Sequence, residues 1–480
     1  MKGLFFVSLL LLAFGCTLGP DHEAPDLCLP CEFEEAKQEV ESVDLSSWWH
    51  QFEDPQLCSL IDEALCSNLD LRIALQKVEE VRGFYQIERS DLYPQIAGNL
   101  VAIRTRRSEN LGTDAFEGPE AITELVPTDF GGPLINKFFQ VGIDASWEID
   151  LWGKNRRKAE AGRFDFDASQ EAALGVQITL ISQVASSYID MRLLQGQITM
   201  REEQIKSAKD LVHLAETRAQ GGIASYLDVA DAKAALDFQV AVLPDLKRNL
   251  KQTIHGLAIL LGREPEGLAA CFEKGSIPRA TGKIPENLPS ELLCNRPDIR
   301  QAEKELGAAT ARIGVAKGEF FPSFSLNGSF GVQSNLLDNL FSWPSRYWTV
   351  GPGMIWNLFT GGKLIGQLKV ATERQKQAVL SYEKTVLEAL QEVEDRLVGY
   401  YMEERRHQAL SDRVESTQLF RKLAYEQYIS GLISMDQVLR ADRDLYFSIQ
   451  ESLASEGALM VQLVGLYKAL GGGWQCSDSQ

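Results

Sequence analysis

Apolar side chains recur every three or four residues along most of the chain, and in a few stretches the period drops to two. From Arg156 to about Gln220 there is no proline, and Leu174, Ile178, Ile181, Ala185 and Tyr188 follow the 4,3,4,3 spacing of a coiled-coil seam. Val386, Leu390, Val393, Leu397 and Tyr400 repeat it. A helix of about 64 residues would reach roughly 95 Å, far beyond an ordinary globular helix. Each long helix runs into a glycine turn, Gly221-Gly222 or Gly431, and a second helix then runs to Leu261-Gly262 or Leu470-Gly471.

The period-two stretches predict strands. Phe139, Val141, Ile143, Ala145, Trp147 and Ile149 alternate with Gln140, Gly142, Asp144, Ser146, Glu148 and Asp150. Phe324 to Val332 and Trp348 to Leu358 alternate likewise, while Gln95 to Thr105 alternates poorly and runs into Arg104, Arg106 and Arg107. These lengths approach the roughly 9–11 residues of a tilted transmembrane strand, and Trp147, Trp152, Trp343, Tyr347 and Trp348 suit interfacial aromatic girdles. A soluble β-sandwich with one wet face satisfies the same alternation.

The two sets of elements are copies of one pattern. Asn68-Leu69-Asp70-Leu71-Arg72-Ile73-Ala74 recurs as Arg296-Pro297-Asp298-Ile299-Arg300-Gln301-Ala302, and Leu92-Tyr93-Pro94 as Phe320-Phe321-Pro322, at an offset of 228 residues. Trp147 matches Trp356, Gly222 matches Gly431 and Leu261-Gly262 matches Leu470-Gly471 at an offset of 209, so the halves differ mainly between Pro94 and Trp147. Each half reads as helix, β-hairpin, long helix, tight turn, helix, with the hairpin at one end of a rod and the turn at the other. The fold class is mainly α with a small β part.

A four-stranded sheet in lipid has two open edges whose unpaired backbone groups cost several kcal/mol each, so it must close with other chains. Two copies give eight strands and a filled interior, whereas three give twelve and an aqueous lumen, which the polar faces favour. Closure also gathers the helices into a ring that buries their apolar seams. The expectation is a homotrimer with a transmembrane β-barrel and a long α-helical barrel.

Composition narrows the function. The formal charge of −19 and the lack of a basic stripe with interleaved aromatics exclude nucleic acid as a partner. The apolar run Leu4–Phe14, after Lys2, is too short to span a bilayer as a helix and fits a signal peptide. It ends at Leu12-Ala13-Phe14-Gly15-Cys16, which resembles a bacterial lipobox with Ala13 where leucine is usual, making Cys16 the candidate lipidation site; an ordinary signal-peptidase cut nearby is the alternative. Cys28, Cys31, Cys58, Cys66, Cys271, Cys294 and Cys476 would lie in a disulfide-permitting compartment, their pairing open. The Cys28-Leu29-Pro30-Cys31 spacing sits in a proline-rich leader without the context of a redox or zinc site. His22, His50, His213, His255 and His407 form no paired-ligand spacing, Gly361-Gly362-Lys363 lacks the upstream glycine of a phosphate loop, and no nucleophile elbow occurs. The reading is no enzyme, no cofactor and no metal site.

An ordered series of short marks covers nearly the whole chain: Cys16, Gly19-Pro20 and Pro25; Trp48-Trp49, Phe52, Asp54-Pro55, Leu57 and Leu60-Ile61; Leu293, Arg296-Pro297-Asp298-Ile299, Ala302-Glu303, Phe321-Pro322, Gly361-Gly362 and Leu470-Gly471-Gly472-Gly473-Trp474. In this the sequence resembles the TolC-like outer-membrane efflux family, in its OprM-like lipoprotein branch. The resemblance implies a trimer with a twelve-stranded barrel anchored among outer-membrane lipids, an α-barrel across the periplasm, and a closed tip opened by a periplasmic adaptor and an inner-membrane pump, exporting small molecules. It also implies a periplasmic gate: Asp228 matches the gate carboxylate and Tyr428 the gate tyrosine, with Asp231 and Asp436 nearby, while Ile433 and Arg440 depart from relatives that carry arginine and an acid there. Read without the resemblance, these aspartates simply cap or solvate helix starts. Export of whole proteins is the second reading within the class, and a periplasmic coiled-coil adaptor the reading from another class. The expected segments are a signal peptide 1–15, a lipidated leader 16–47, repeats 48–266 and 289–474 with hairpins at about 95–152 and 323–359, a linker 267–288 and a tail 475–480.

Overall fold

The computed structural model describes residues 17–23, 25, 45–106, 108, 135–268, 272–273, 275–280 and 295–474. Cys16, Cys28, Cys31, Cys271, Cys294 and Cys476 lie outside them; Cys58 and Cys66 are free thiols. The elements in order are α1 (Pro55–Ser67), α2 (Leu69–Ser90), β1 (Gln95–Arg106), β2 (Ile135–Ile149), α3 (Lys154–Gln220), α4 (Tyr226–Leu260), α5 (Pro297–Gly318), β3 (Ser323–Ser334), β4 (Arg346–Ile355), α6 (Lys363–Ile429) and α7 (Met435–Ala469). The long helices α3 and α6 are each 67 residues, and α4 and α7 each 35, so the two halves match in length as in sequence.

The chain divides into two compact units, and each draws on both halves. The first comprises 1–23, 82–166 and 305–378 and holds the sheet. Its strands run in the order β1-β2-β3-β4, each pair antiparallel, so the hairpins of the two repeats join through β2 and β3. β1 and β4 are the edges. The poorly alternating stretch is a full strand, because its backbone pairs with β2 along its whole length from Gln95 opposite Ser146 to Arg106 opposite Ile135.

Two expectations on strand ends are corrected. β4 starts at Arg346 and stops at Ile355, so Trp356 and Leu358 lie past it, and the Trp356 indole donates to the Phe320 carbonyl at 3.1 Å. Tyr347 and Trp348 are not a shared girdle, since consecutive residues face opposite ways. Tyr347 lies across the Gly142–Gly331 pair, where any added Cβ would strike its ring or neighbouring backbone, and its hydroxyl accepts from Gln140 Nε2 at 2.5 Å. In the same unit Leu18 N donates to the Trp152 carbonyl (3.1 Å), and buried Arg157 binds the Leu18 carbonyl (3.2 Å) and Asp21 (2.6 Å), so the segment just after Cys16 is tied to the start of α3.

The second unit comprises 24–81, 167–304 and 379–480. Its main core includes Trp48, Phe52, Leu57, Ile61, Ile181, Val184, Tyr188, Leu257 and Tyr467. Of the predicted seam, Ile178, Ile181, Ala185 and Tyr188 are buried and Leu174 half-buried; Val386, Val393 and Leu397 are buried in a second cluster. Part of α3 is apolar enough to cross a membrane by composition, but residues from Leu180 to Met191 supply this core instead. Asp54 caps α1 by accepting from Gln56 N (2.9 Å) and Leu57 N (3.2 Å), and its other oxygen accepts from the Tyr188 hydroxyl (2.7 Å). Burial, helped by that carboxylate, pushes the Tyr188 phenol up to about 12. Trp48, 1% exposed, stacks on Tyr467 with ring centroids 4.9 Å apart. Trp48→Ala is expected to cost about 3–5 kcal/mol, seen as a lowered midpoint in thermal unfolding; an unchanged midpoint would mean this core does not limit stability.

Candidate functional site

The predicted gate residues gather at two helix turns of the second unit. α3 ends where Gly222 takes φ +71°, a left-handed conformation that side chains resist, with Ile223 N donating to the Arg218 carbonyl (2.9 Å) and Gly222 N to the Ala219 carbonyl (3.0 Å). α6 ends identically: Gly431 has φ +75°, Leu432 N donates to the Gln427 carbonyl (3.0 Å) and Gly431 N to the Tyr428 carbonyl (3.0 Å). Beneath both turns Leu211, Val212, Ala215, Val229, Met435 and Val438 form one apolar cluster that also takes in Tyr428.

Asp228 does cap its helix. Ser225 Oγ accepts from Leu227 N (3.1 Å), and the Asp228 carboxylate accepts from Ser225 N (3.4 Å), the reciprocal pattern of a capping box. Asp228 also stands near enough to Tyr428 to raise its phenol pKa, an effect smaller than that of burial and opposed by the Arg218 guanidinium. That guanidinium lies 4.5 Å from the Tyr428 ring centroid and donates from Nη1 to the Tyr428 carbonyl (2.7 Å). The Tyr428 ring is buried, yet its hydroxyl has no hydrogen-bond partner among the described residues. Arg218, missed in the sequence, thus links the two turns; a basic residue in a last helical turn is common enough to carry no signal alone. Asp436 pairs with Arg440 at 2.7 Å, so this departure supplies a local counter-charge one turn along α7.

Asp231 and Asp436 are exposed and line a cleft of about 780 Å³ between α3, α4 and α7. Its inner wall holds Arg201, 8% exposed, whose guanidinium donates to the amide oxygens of Gln204 (2.6 Å), Gln239 and Gln450 (3.3 Å). Burial lowers its pKa. Asp442, also buried, meets Arg421 at 3.4 Å and accepts from Ser207 at 3.2 Å, and burial raises its carboxyl pKa.

In the first unit the sheet has two unlike faces. On one lie Asn99, Gln140, Asp144, Ser146, Asn327, Ser329, Gln333 and Thr349, laced by Asn99–Asp144 (2.5 Å) and Ser146–Asn327 (3.0 Å) hydrogen bonds. The other carries Ile96, Leu100, Val141, Ile143, Leu326, Phe330, Trp348 and Val350, with Leu100 76% and Trp348 73% exposed. A face that is apolar and exposed over the four rows nearest the helices, opposite a polar one, is the surface of a lipid-embedded barrel wall.

A family model described as outer membrane efflux protein matches residues 60–263 and 288–472. The chain belongs to the outer membrane efflux protein family. It is 34% identical over 487 aligned residues to the solvent efflux pump outer membrane protein SrpC of Pseudomonas putida, covering 100% of this chain and 99% of that one. It is 31% identical to the cation efflux system protein CusC of Escherichia coli O6:H1, covering 96% of each. The structure of the outer-membrane channel OprN superposes with a TM-score of 0.87 at 29% identity, over 96% of this chain and 100% of that one. This efflux protein is accordingly an outer-membrane channel component, located in the cell outer membrane and extending into the periplasm, and its relatives are channels rather than enzymes.

Proposed function

We propose that three copies of this efflux protein close edge to edge into a twelve-stranded barrel and form the exit duct of a system completed by a periplasmic adaptor and an inner-membrane pump. The observation that carries this reading is the pair of open edges, β1 and β4, on a sheet with one apolar and one polar face. Only closure satisfies the edge backbone groups in lipid, and three copies give a lumen lined by the polar face. The cargo is small molecules: relatives named for solvent and for cation efflux stand at 34% and 31% identity, which fits a duct whose selectivity lies in the pump.

Asp228, Tyr428, Asp231 and Asp436 form the gate at the periplasmic tip, with Arg218 as the tie between turns. Carboxylates around a narrow three-fold opening repel one another and attract cations, so the closed state depends on salt. The N-terminal arm supports lipidation at Cys16: residues 1–15 are removed, and Thr17 packs against Gly153, four residues beyond the end of β2, where acyl chains would meet the bilayer. The leader 16–47, the repeats 48–266 and 289–474, the linker 267–288 and the tail 475–480 complete the proposed segments.

The test is the mass of the purified protein in detergent with its single-channel conductance in a planar bilayer. A three-chain mass with long-lived currents is expected; a monomer without current defeats the reading and favours an adaptor. Cys16→Ser is expected to abolish palmitate labelling while the three-chain mass persists.

A further inference from the structure

The apolar face of the sheet is not uniform along its height. Reading the register from the helix-connected ends outward, its rows are Ile149–Phe324–Met354, Trp147–Leu326–Pro352, Ile96–Ala145–Gly328–Val350 and Gly98–Ile143–Phe330–Trp348, all uncharged. The next row, Leu100–Val141–Val332–Arg346, ends in a cation, and two rows further Arg104 stands directly opposite Lys137. These three basic side chains are exposed, and none pairs with a carboxylate among the described residues; Arg106, opposite Ile135 one row further, is a fourth exposed base on this face. Arg346 instead lies over Trp343, its guanidinium carbon 3.3 Å from the ring centroid.

The heights matter. Successive rows on one face are about 6.8 Å apart along a strand, and barrel strands tilt by about 35–45°. Arg346 therefore stands roughly 20 Å, and the Arg104–Lys137 pair roughly 30 Å, above the first uncharged row. An apolar barrel band is about 25 Å tall, so the cations bracket its far border. No cation lies on the four rows nearest the helices. In an outer-membrane channel with periplasmic helices, that far border meets the outer leaflet, whose glycolipid carries phosphate groups. A chain of formal charge −19 places three cations without a carboxylate partner among the described residues on a lipid-facing surface at this level.

We propose that Arg104, Lys137 and Arg346 form a binding site for the phosphates of the outer-leaflet glycolipid. At the edge of the hydrocarbon, where water is scarce, guanidinium–phosphate hydrogen bonds are charge-assisted and the acyl chains of the same lipid cover the adjoining Leu100, Val141 and Phe330. The Trp343 ring lies against the Arg346 guanidinium, a cation–π contact suited to the interface. This rests on the trimeric reading in one respect: ring closure sets β4 of one copy beside β1 of the next, so Arg346 and the next copy's Arg104 and Lys137 flank one seam.

Delipidated protein is titrated with diphosphorylated lipid A and with the same lipid stripped of its phosphates, retained lipid being counted per chain by native mass spectrometry. The wild type is expected to hold the phosphorylated form at least tenfold more tightly, and a triple R104Q/K137Q/R346Q variant to lose that preference while keeping wild-type mass and conductance. Equal retention of the two lipids by the wild type overturns the proposal whatever the variant does, as does an undiminished preference in a variant of wild-type mass. Displacement of the lipid by millimolar inorganic phosphate alone also overturns it, by assigning the site to a free anion. A monomer that still prefers the phosphorylated lipid keeps the site and loses the ring; a trimer without preference keeps the ring and loses the site.

Discussion

Asp228→Asn is expected to raise the open probability of the reconstituted channel on the order of tenfold, the shift produced by losing about 1.4 kcal/mol of closed-state interaction. Ser225→Ala should leave the currents near wild type. The two substitutions separate the capping role of this carboxylate from its proposed role in the gate. Asp228 accepts from Ser225 N and so caps α4, and it also sits in the field of Tyr428 beside Arg218. Asparagine keeps an acceptor for the cap and removes the charge. Ser225→Ala removes the Leu227 cap bond, worth about 1 kcal/mol of helix stability, without touching a charge. If Ser225→Ala opens the channel and Asp228→Asn does not, the carboxylate is a cap and the gate lies elsewhere. Tyr428→Phe adds a third reading, because its hydroxyl has no partner among the described residues of one chain. A larger current in that variant would mean that a neighbouring copy accepts the hydrogen bond.

Ile143→Arg should abolish the trimer in outer-membrane fractions, judged by the loss of the three-chain band, while Ser329→Arg should assemble normally and pass cations more slowly. Ile143 lies on a central strand in the fourth uncharged row of the apolar face, and Ser329 on the adjoining strand beside Asp144 on the polar one. Arginine at the midplane of a lipid-facing surface costs about 2–4 kcal/mol per copy, and closed symmetry charges that cost three times. On the lumen side the same side chain stays in water, so its effect is electrostatic and acts on permeation. Normal assembly of Ile143→Arg with failure of Ser329→Arg would invert the faces and place the apolar side inward.

The sequence pattern predicted most of the helical architecture because burial in a helix pair is periodic: Ile178, Ile181, Ala185 and Tyr188 had to share a face, and they are buried together. It predicted the sheet less well at its borders. Trp147 and Trp348 look alike as aromatic residues near strand ends, but the register sets Trp348 in the middle of the apolar face and Trp147 nearer the helices, its indole donating to the Leu92 carbonyl at 3.1 Å. Register depends on which residue faces which across strands, and alternation within one strand does not carry it. Asp228 and Tyr428 were singled out by the family resemblance around the two glycine turns, while Arg218 and the cleft residue Arg201 were not, since an arginine on a long polar helix looks the same whether it faces water or three glutamine amides.

The open edges carry a genetic consequence. In a closed ring of identical copies each joint is heterologous, β4 of one against β1 of the next, so a subunit damaged on one edge still presents a sound second edge and is still recruited. Such a subunit occupies a place that it cannot complete. Where a damaged and an intact allele are expressed equally and mix at random, only about one ring in eight contains intact copies alone. An edge-blocking allele would therefore behave as a dominant poison, whereas an allele that prevents the sheet from forming at all would be recessive and silent beside a good copy.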